Sequence, residues 1–204
     1  MKFQRTRLLD RTVNRRDARI FLVATEGERT EPDYFRGLQE RELVDRSRVH
    51  IEVVPTPPRD GTSAPNWVLE RLVDIEGKYR LEAFDQRWLV FDRDTWTAAR
   101  VSEVATQARQ RRYDLAVSTP CFELWLILHV REAHGLAADG ISSACKKAWG
   151  ELNPGPDAYL VREVVQTACD RAQASDPSPE DRWAQSIGTH VYRLVKQLLP
   201  TAPA

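Results

Sequence analysis

Residues 19–25 read Arg-Ile-Phe-Leu-Val-Ala-Thr, and Glu26-Gly27 follow. The run is short, apolar and without polar alternation, which is the pattern of a strand buried on both faces of a parallel sheet. Gly27 ends it. Thr30 stands where it can cap a helix that has Pro32 in its first turn and Glu31 and Asp33 near the positive end of the dipole. Tyr34, Phe35 and Leu38 then form the helix's apolar stripe. Outward from this strand, turn and helix, the same unit recurs. Residues 50–54 predict a second strand, and the Pro/Gly-rich loop at 55–65 is long enough to serve a function. Asn66 can cap a helix carrying Val68, Leu69, Leu72 and Val73, and residues 87–91 predict a third strand ending at Asp92-Arg93-Asp94. A helix near 97–111 and a strand at 114–118 follow. Thr119-Pro120 then opens an apolar helix through Val130, and helices are predicted near 141–149, 157–174 and 186–199. Strands alternating with helices imply an α/β fold, a parallel sheet of about four strands flanked by helices. The expected division is a basic arm at 1–18, an α/β core at 19–135 and a helical C-terminal extension at 136–204 packed on that core.

Composition narrows the class. The chain has 204 residues, 42% hydrophobic and 29% charged, so it can bury a substantial core and is neither disordered nor fibrous. Lys and Arg number 30 and so do Asp and Glu, which excludes a polycation built to coat nucleic acid. Any such contact must be local, and residues 1–19 carry seven basic side chains against Asp10 and Asp17. Cys121, Cys145 and Cys169 form no CxxC and cannot all pair, so a disulfide framework and a zinc ribbon are both unsupported and a reducing cytoplasm fits. The most apolar stretch, residues 121–130, contains Glu123 and His129 and is about half of what a membrane span needs. No apolar segment of a secretory signal follows the N-terminal arginines. Walker A, GxGxxG and GxSxG motifs are absent, which removes the P-loop, dinucleotide-binding and hydrolase-elbow readings.

Ligands of parallel α/β sheets collect outside the carboxyl ends of the strands. The carboxylates follow that rule: Glu26 ends the first strand, Asp92 and Asp94 end the third, and Glu123 opens the helix after the fourth. Residues two apart in an extended segment point to one side, so Asp92 and Asp94 can face Glu26 together. Anions this close repel one another, and an all-oxygen site suits Mg2+ or Mn2+ better than zinc. Plain alternatives stand beside each reading. Asp92-Arg93-Asp94 can be a polar turn, Glu28 and Glu31 can serve a helix dipole, and Glu123 can be an ion pair with an arginine. Glu123 is the sharper anomaly, because an ionised carboxylate inside CFELWLILHV is costly without a partner. His129 and His190 read as hydrogen-bonded core residues, and the six tryptophans show no stacking pattern.

Three segments carry a family resemblance: RIFLVATEGERTEPDYF at 19–35, FDRD at 91–94 and STPCFELWLILH at 118–129. In this order they resemble the RloB family, whose members look like part of the Toprim superfamily. That resemblance implies a compact parallel α/β sheet and a site made of a Glu after the first strand and an Asp-x-Asp after a later one. Those positions are Glu26, Asp92 and Asp94. It also implies an effector nuclease of anti-phage defence, associated with an ABC-like ATPase that gates it. On this reading Glu26, Asp92 and Asp94 are catalytic and hold one or two Mg2+ or Mn2+ ions. Glu123 is a further metal ligand, Glu26 is alternatively a general base or acid, and Arg29, Thr30 and Arg93 bind the phosphate of an RNA or DNA substrate. Homo-oligomerisation is left open. The competing expectation is a non-catalytic subunit that binds nucleic acid or the ATPase, and a nucleotide phosphatase is a third.

Overall fold

The structure, a computed structural model, describes residues 18–55, 65–94, 96–133, 142–176 and 179–200. The basic arm up to residue 17, and most of the Pro/Gly-rich loop, lie outside the described residues. In chain order the elements are β1 (Arg19–Thr25), α1 (Thr30–Glu40), β2 (Val49–Val54), α2 (Pro65–Glu76), β3 (Gln86–Asp92), α3 (Ala98–Gln110) and β4 (Asp114–Thr119). Then come α4 (Glu123–Val130), α5 (Ser142–Leu152), α6 (Pro156–Tyr159), α7 (Arg162–Ala174), β5 (Gly188–Thr189) and α8 (Val191–Leu198). The strands form one sheet in the order β2-β1-β3-β4-β5. The first four are parallel and β5 is antiparallel to β4. This is an α/β sheet of the kind that the Toprim-like resemblance implies.

Strand periodicity explains the layering. Along β1, Phe21 and Val23 point to one face, where they pack with Tyr34, Phe35, Phe122 and Trp125 and with residues of α7 and α8. Ile20, Leu22 and Ala24 point to the other face, against Val68, Leu69 and Leu72 of α2 and Val101, Val104 and Ala105 of α3. A strand covered on both sides has no use for polar alternation. At its amino end Asp85, almost wholly buried, accepts from the Ile20 N–H at 2.8 Å and the Glu82 N–H at 2.7 Å. At the carboxyl end the register sets Thr25 beside Val90 and Asp92 beside Ser118. Glu26 and the Asp-x-Asp turn therefore leave the sheet side by side.

Several local expectations are corrected. Thr30 is the first residue of α1, not its cap; Arg29 holds the cap position and no side chain closes it. Asn66 is the second residue of α2 rather than its cap. Thr119 is still paired in β4, so α4 begins at Glu123. The helix expected over 157–174 divides at Leu160, which leaves helical geometry to pack on α1. A Cβ added to Gly37 would lie 2.5 Å from Leu160 Cδ1, so glycine makes room for it. The helix expected over 186–199 starts late, because Gly188 and Thr189 extend the sheet and the Thr189 hydroxyl meets that of Ser118 at 2.8 Å. The C-terminal third thus adds a short strand to the sheet as well as helices. All three cysteines are buried and none forms a disulfide. Among the described residues, no helix is long and apolar enough to cross a membrane.

Candidate functional site

At the carboxyl edge of β1, β3 and β4 lies a cleft of about 350 Å3. Glu26, Arg29, Thr30, Glu31, Asp92, Asp94, Glu123 and Lys146 line it. Each acidic group arrives on a separate support. Glu26 follows β1, and its N–H donates to Val90 O at 2.9 Å, which holds it against β3. Its Oε2 accepts from the Asp92 N–H at 3.1 Å. Asp92 is the last residue of β3, and Asp94 is fixed by its own N–H to Pro120 O at 3.1 Å and by the Ser142 hydroxyl, which donates to its Oδ2 at 3.2 Å. Glu123 is the first residue of α4, where the helix dipole favours a negative charge.

Glu31 joins them, and sequence reasoning assigned it only to the helix dipole. It is 6% exposed, and its Oε1 accepts from the Gly27 N–H at 3.1 Å. Burial pushes its carboxyl above the ordinary range, Glu123 and Glu26 add to the shift, and the backbone hydrogen bonds oppose it. Asp92 is pushed further, well above the usual value, by burial and then by Glu31, Glu26, Glu123 and Asp94. Five carboxylates therefore share one electrostatic environment. Lys146 of α5 is the other addition. Burial alone would lower its pKa, but Glu123, Asp92 and Asp94 outweigh that and hold its ammonium charged. No motif around Lys146 announces it, because only the packing of α5 brings it to the cleft.

Arg29 and Thr30 line the cleft as expected, whereas Arg93 does not. Its guanidinium donates to Gln185 O at 2.8 Å and so ties the Asp-x-Asp turn to the segment before β5. Both histidines of interest lie in the core. His129 Nδ1–H donates to Trp125 O at 3.0 Å, which leaves Nε2 to accept from the Tyr34 hydroxyl at 3.2 Å. Burial lowers the His129 pKa to about 4, so the ring is neutral in this network. His190 is wholly buried beside Asp176.

A hard divalent cation fits the chemistry of the donor set, which is carboxylate oxygen throughout and crowded enough to raise Asp92. Among the described residues, no group of three or more His, Cys, Asp or Glu side chains is gathered tightly enough to hold an ion as arranged. Glu26 instead bonds the Asp92 backbone.

Gly27 gives a test of the Glu31 placement. A Cβ at that position would overlap the Glu31 carboxylate, which is the movable end of a side chain and can swing away. Gly27→Ala is expected to change stability by less than about 1 kcal/mol. It should lower any metal-dependent activity about tenfold or more, as loss of an orienting contact does. Thermal melts and rates on the same preparation check both numbers.

No curated protein and no solved structure matches the chain. A family model described as RloB-like protein does, over residues 21–198, a span that contains most of β1, the cleft carboxylates and every later described element. By that match over most of its length, the chain belongs to the RloB-like family.

Proposed function

We propose that the cleft is the active site of a Mg2+-dependent nuclease that hydrolyses phosphodiester bonds of RNA or DNA, and that the protein is an effector of anti-phage defence gated by an ABC-like ATPase. One observation carries the reading: Asp92, half-buried at the end of β3, shares a single cleft with four other carboxylates, and burial followed by their charges raises its pKa. A crowd of like charges held in place by backbone hydrogen bonds is costly unless a cation belongs there.

Glu26, Asp92 and Asp94 would hold one or two ions, with Glu123 as a further ligand. A divalent ion held there would supply Lewis-acid chemistry, polarising the phosphate and favouring ionisation of the attacking water. Thr30 and Arg29, at the start of α1, hold the non-bridging oxygens of the scissile phosphate. Lys146 neutralises charge that builds on the phosphate during attack. Glu31, whose pKa burial raises and whose side chain lines the cleft, accepts the proton of the attacking water, or Glu26 does so. Arg93, which does not line the cleft and donates from Nη1 to Gln185 O, keeps further N–H donors that can reach the phosphate.

The test is cleavage of plasmid, single-stranded DNA and total tRNA by the chain, alone and with its ATPase. Mg2+ or Mn2+ is supplied, EDTA is the control, and Glu26→Gln is run beside wild type. Metal-dependent cutting that Glu26→Gln loses is the expected result. If no polymer is cut in either setting while a divalent ion is bound, the competing reading of a non-catalytic subunit takes its place.

A further inference from the structure

If the cleft cuts nucleic acid, it must hold a polyanion beside its own anions. Six acidic side chains line it against Arg29 and Lys146. Attraction that does not depend on charge would help to hold the strand, and a surface for base stacking supplies it.

One side chain at the same edge has that character. Trp67, in the first turn of α2, is 46% exposed, the most exposed large apolar side chain among the described residues. The other five tryptophans are buried or packed against the two large clusters. The backbone of Trp67 is tied to the end of β1, next to the cleft residue Glu26, through Arg71, one turn further along the same helical face. The Arg71 guanidinium donates from Nε to Trp67 O at 3.3 Å and from Nη1 to Pro55 O at 3.4 Å. Its Nη2 donates to the carbonyl of Thr25, the residue before Glu26. Burial lowers the Arg71 pKa, and the fields of Glu26 and Glu31 hold it up, so both carboxylates are neighbours of this cation. Arg71 is thus a positioning residue that pins the start of α2 to the end of β1. Trp67 itself does not line the cleft; it stands about one helical turn before Arg71, at the start of the helix that follows the carboxyl end of β2.

We infer that Trp67 is a stacking platform for an unpaired nucleobase of the strand whose phosphate enters the carboxylate cleft. The inference rests on the phosphodiesterase reading of that cleft and adds a substrate class to it: single-stranded, looped or bulged nucleic acid. In a continuous duplex the bases are stacked on one another, and none can lie on an indole without leaving the helix.

The test uses the full chain with EDTA present, so that nothing is cut, and two fluorescent probes: a single-stranded oligonucleotide of mixed sequence and a blunt duplex of the same length. Trp67→Ala is expected to weaken single-strand binding about tenfold and to leave duplex binding unchanged. Trp67→Phe should recover most of the loss, because a ring is retained. With Mg2+ restored, Trp67→Ala should raise KM and leave kcat and the affinity for Mg2+ as they were. Equal single-strand affinity in wild type and Trp67→Ala overturns the platform, and so does an equal loss for single strand and duplex. A Trp67→Ala variant that loses only its ATPase partner overturns it in favour of a protein interface. The two readings fail separately. Metal-dependent cutting that ignores Trp67 leaves the nuclease and removes the platform, whereas Trp67-dependent single-strand binding without cutting leaves the platform and removes the nuclease.

Discussion

Replacing Asp92 and Asp94 together with Asn should abolish metal-dependent cleavage, by about 10²-fold at the least, while the protein stays folded. The change removes two negative charges and keeps the shape of both side chains. Asp94 can still meet the Ser142 hydroxyl through an amide oxygen, and the backbone bonds of both positions are untouched. Stability gives a second signature with a definite sign. Native Asp92 keeps its proton to a higher pH than the unfolded chain does, because burial and then Glu31, Glu26, Glu123 and Asp94 oppose its charge. Its contribution to metal-free stability is therefore complete below its ordinary value of 3.8 and is lost as pH rises through the raised native value. In EDTA, wild type should lose Tm on going from about pH 5 to about pH 8 more steeply than Asp92→Asn, and the gap between them is the quantity to read. Mg2+ should raise the Tm of wild type at the upper end and leave the double variant unmoved. Full activity in the double variant would overturn the assignment of these two residues.

A second large effect is expected at residues that do not line the cleft. Asp176, after α7, is 8% exposed, and its Oδ2 accepts from the Tyr192 hydroxyl at 2.9 Å. The same oxygen faces His190 Nε2 at 3.1 Å and Arg193 Nη2 at 3.6 Å. Burial and Arg193 push the His190 pKa down against the pull of Asp176, so the neutral ring donates Nε2–H to the carboxylate. This one anion serves three groups that tie α8 to the end of α7. Asp176→Ala would leave a half-buried guanidinium, a hydroxyl and a wholly buried imidazole without it, a loss of about 3–5 kcal/mol. For a chain of this length that is a fall of about 10 °C in Tm. Below the new midpoint kcat should be unchanged, since none of the four residues lines the cleft. A large drop in kcat at full folding would give His190 a catalytic part that the geometry does not.

Much of the architecture could be read from residues 19–130 because the signal there is local. A strand sealed on both faces is apolar along its covered length, as Ile20–Ala24 of β1 and Trp88–Phe91 of β3 are. In a parallel sheet every strand delivers its carboxyl end to one edge, so Glu26, Asp92, Asp94 and Glu123 could be gathered on paper from connectivity alone. What escaped is what depends on contacts between distant residues. β5 has only two residues, and it is a strand because Ser118 and Thr119 are there to pair with it. Glu31 looked like a dipole residue. Its side chain turns back to the Gly27 N–H and so faces the cleft. Lys146 is delivered by α5, whose place is set by the apolar contact of Cys145 and Ala148 with Cys121, Leu124 and Ile127. Arg93 carries the reverse lesson. It sits between two site carboxylates, yet its long side chain reaches Gln185.

The central claim is that the five carboxylates are a cation site that works on phosphate, and ion binding tests it before any substrate or trigger is known. Mn2+ titrated into the metal-free protein at neutral pH, followed by calorimetry and by the electron paramagnetic resonance of the free ion, counts the sites directly. The account predicts one or two ions bound per chain by wild type, with binding lost in the Asp92→Asn, Asp94→Asn double variant and weakened in Glu26→Gln. Wild-type protein that binds no Mn2+, or that binds it as well after both aspartates are replaced, would contradict it.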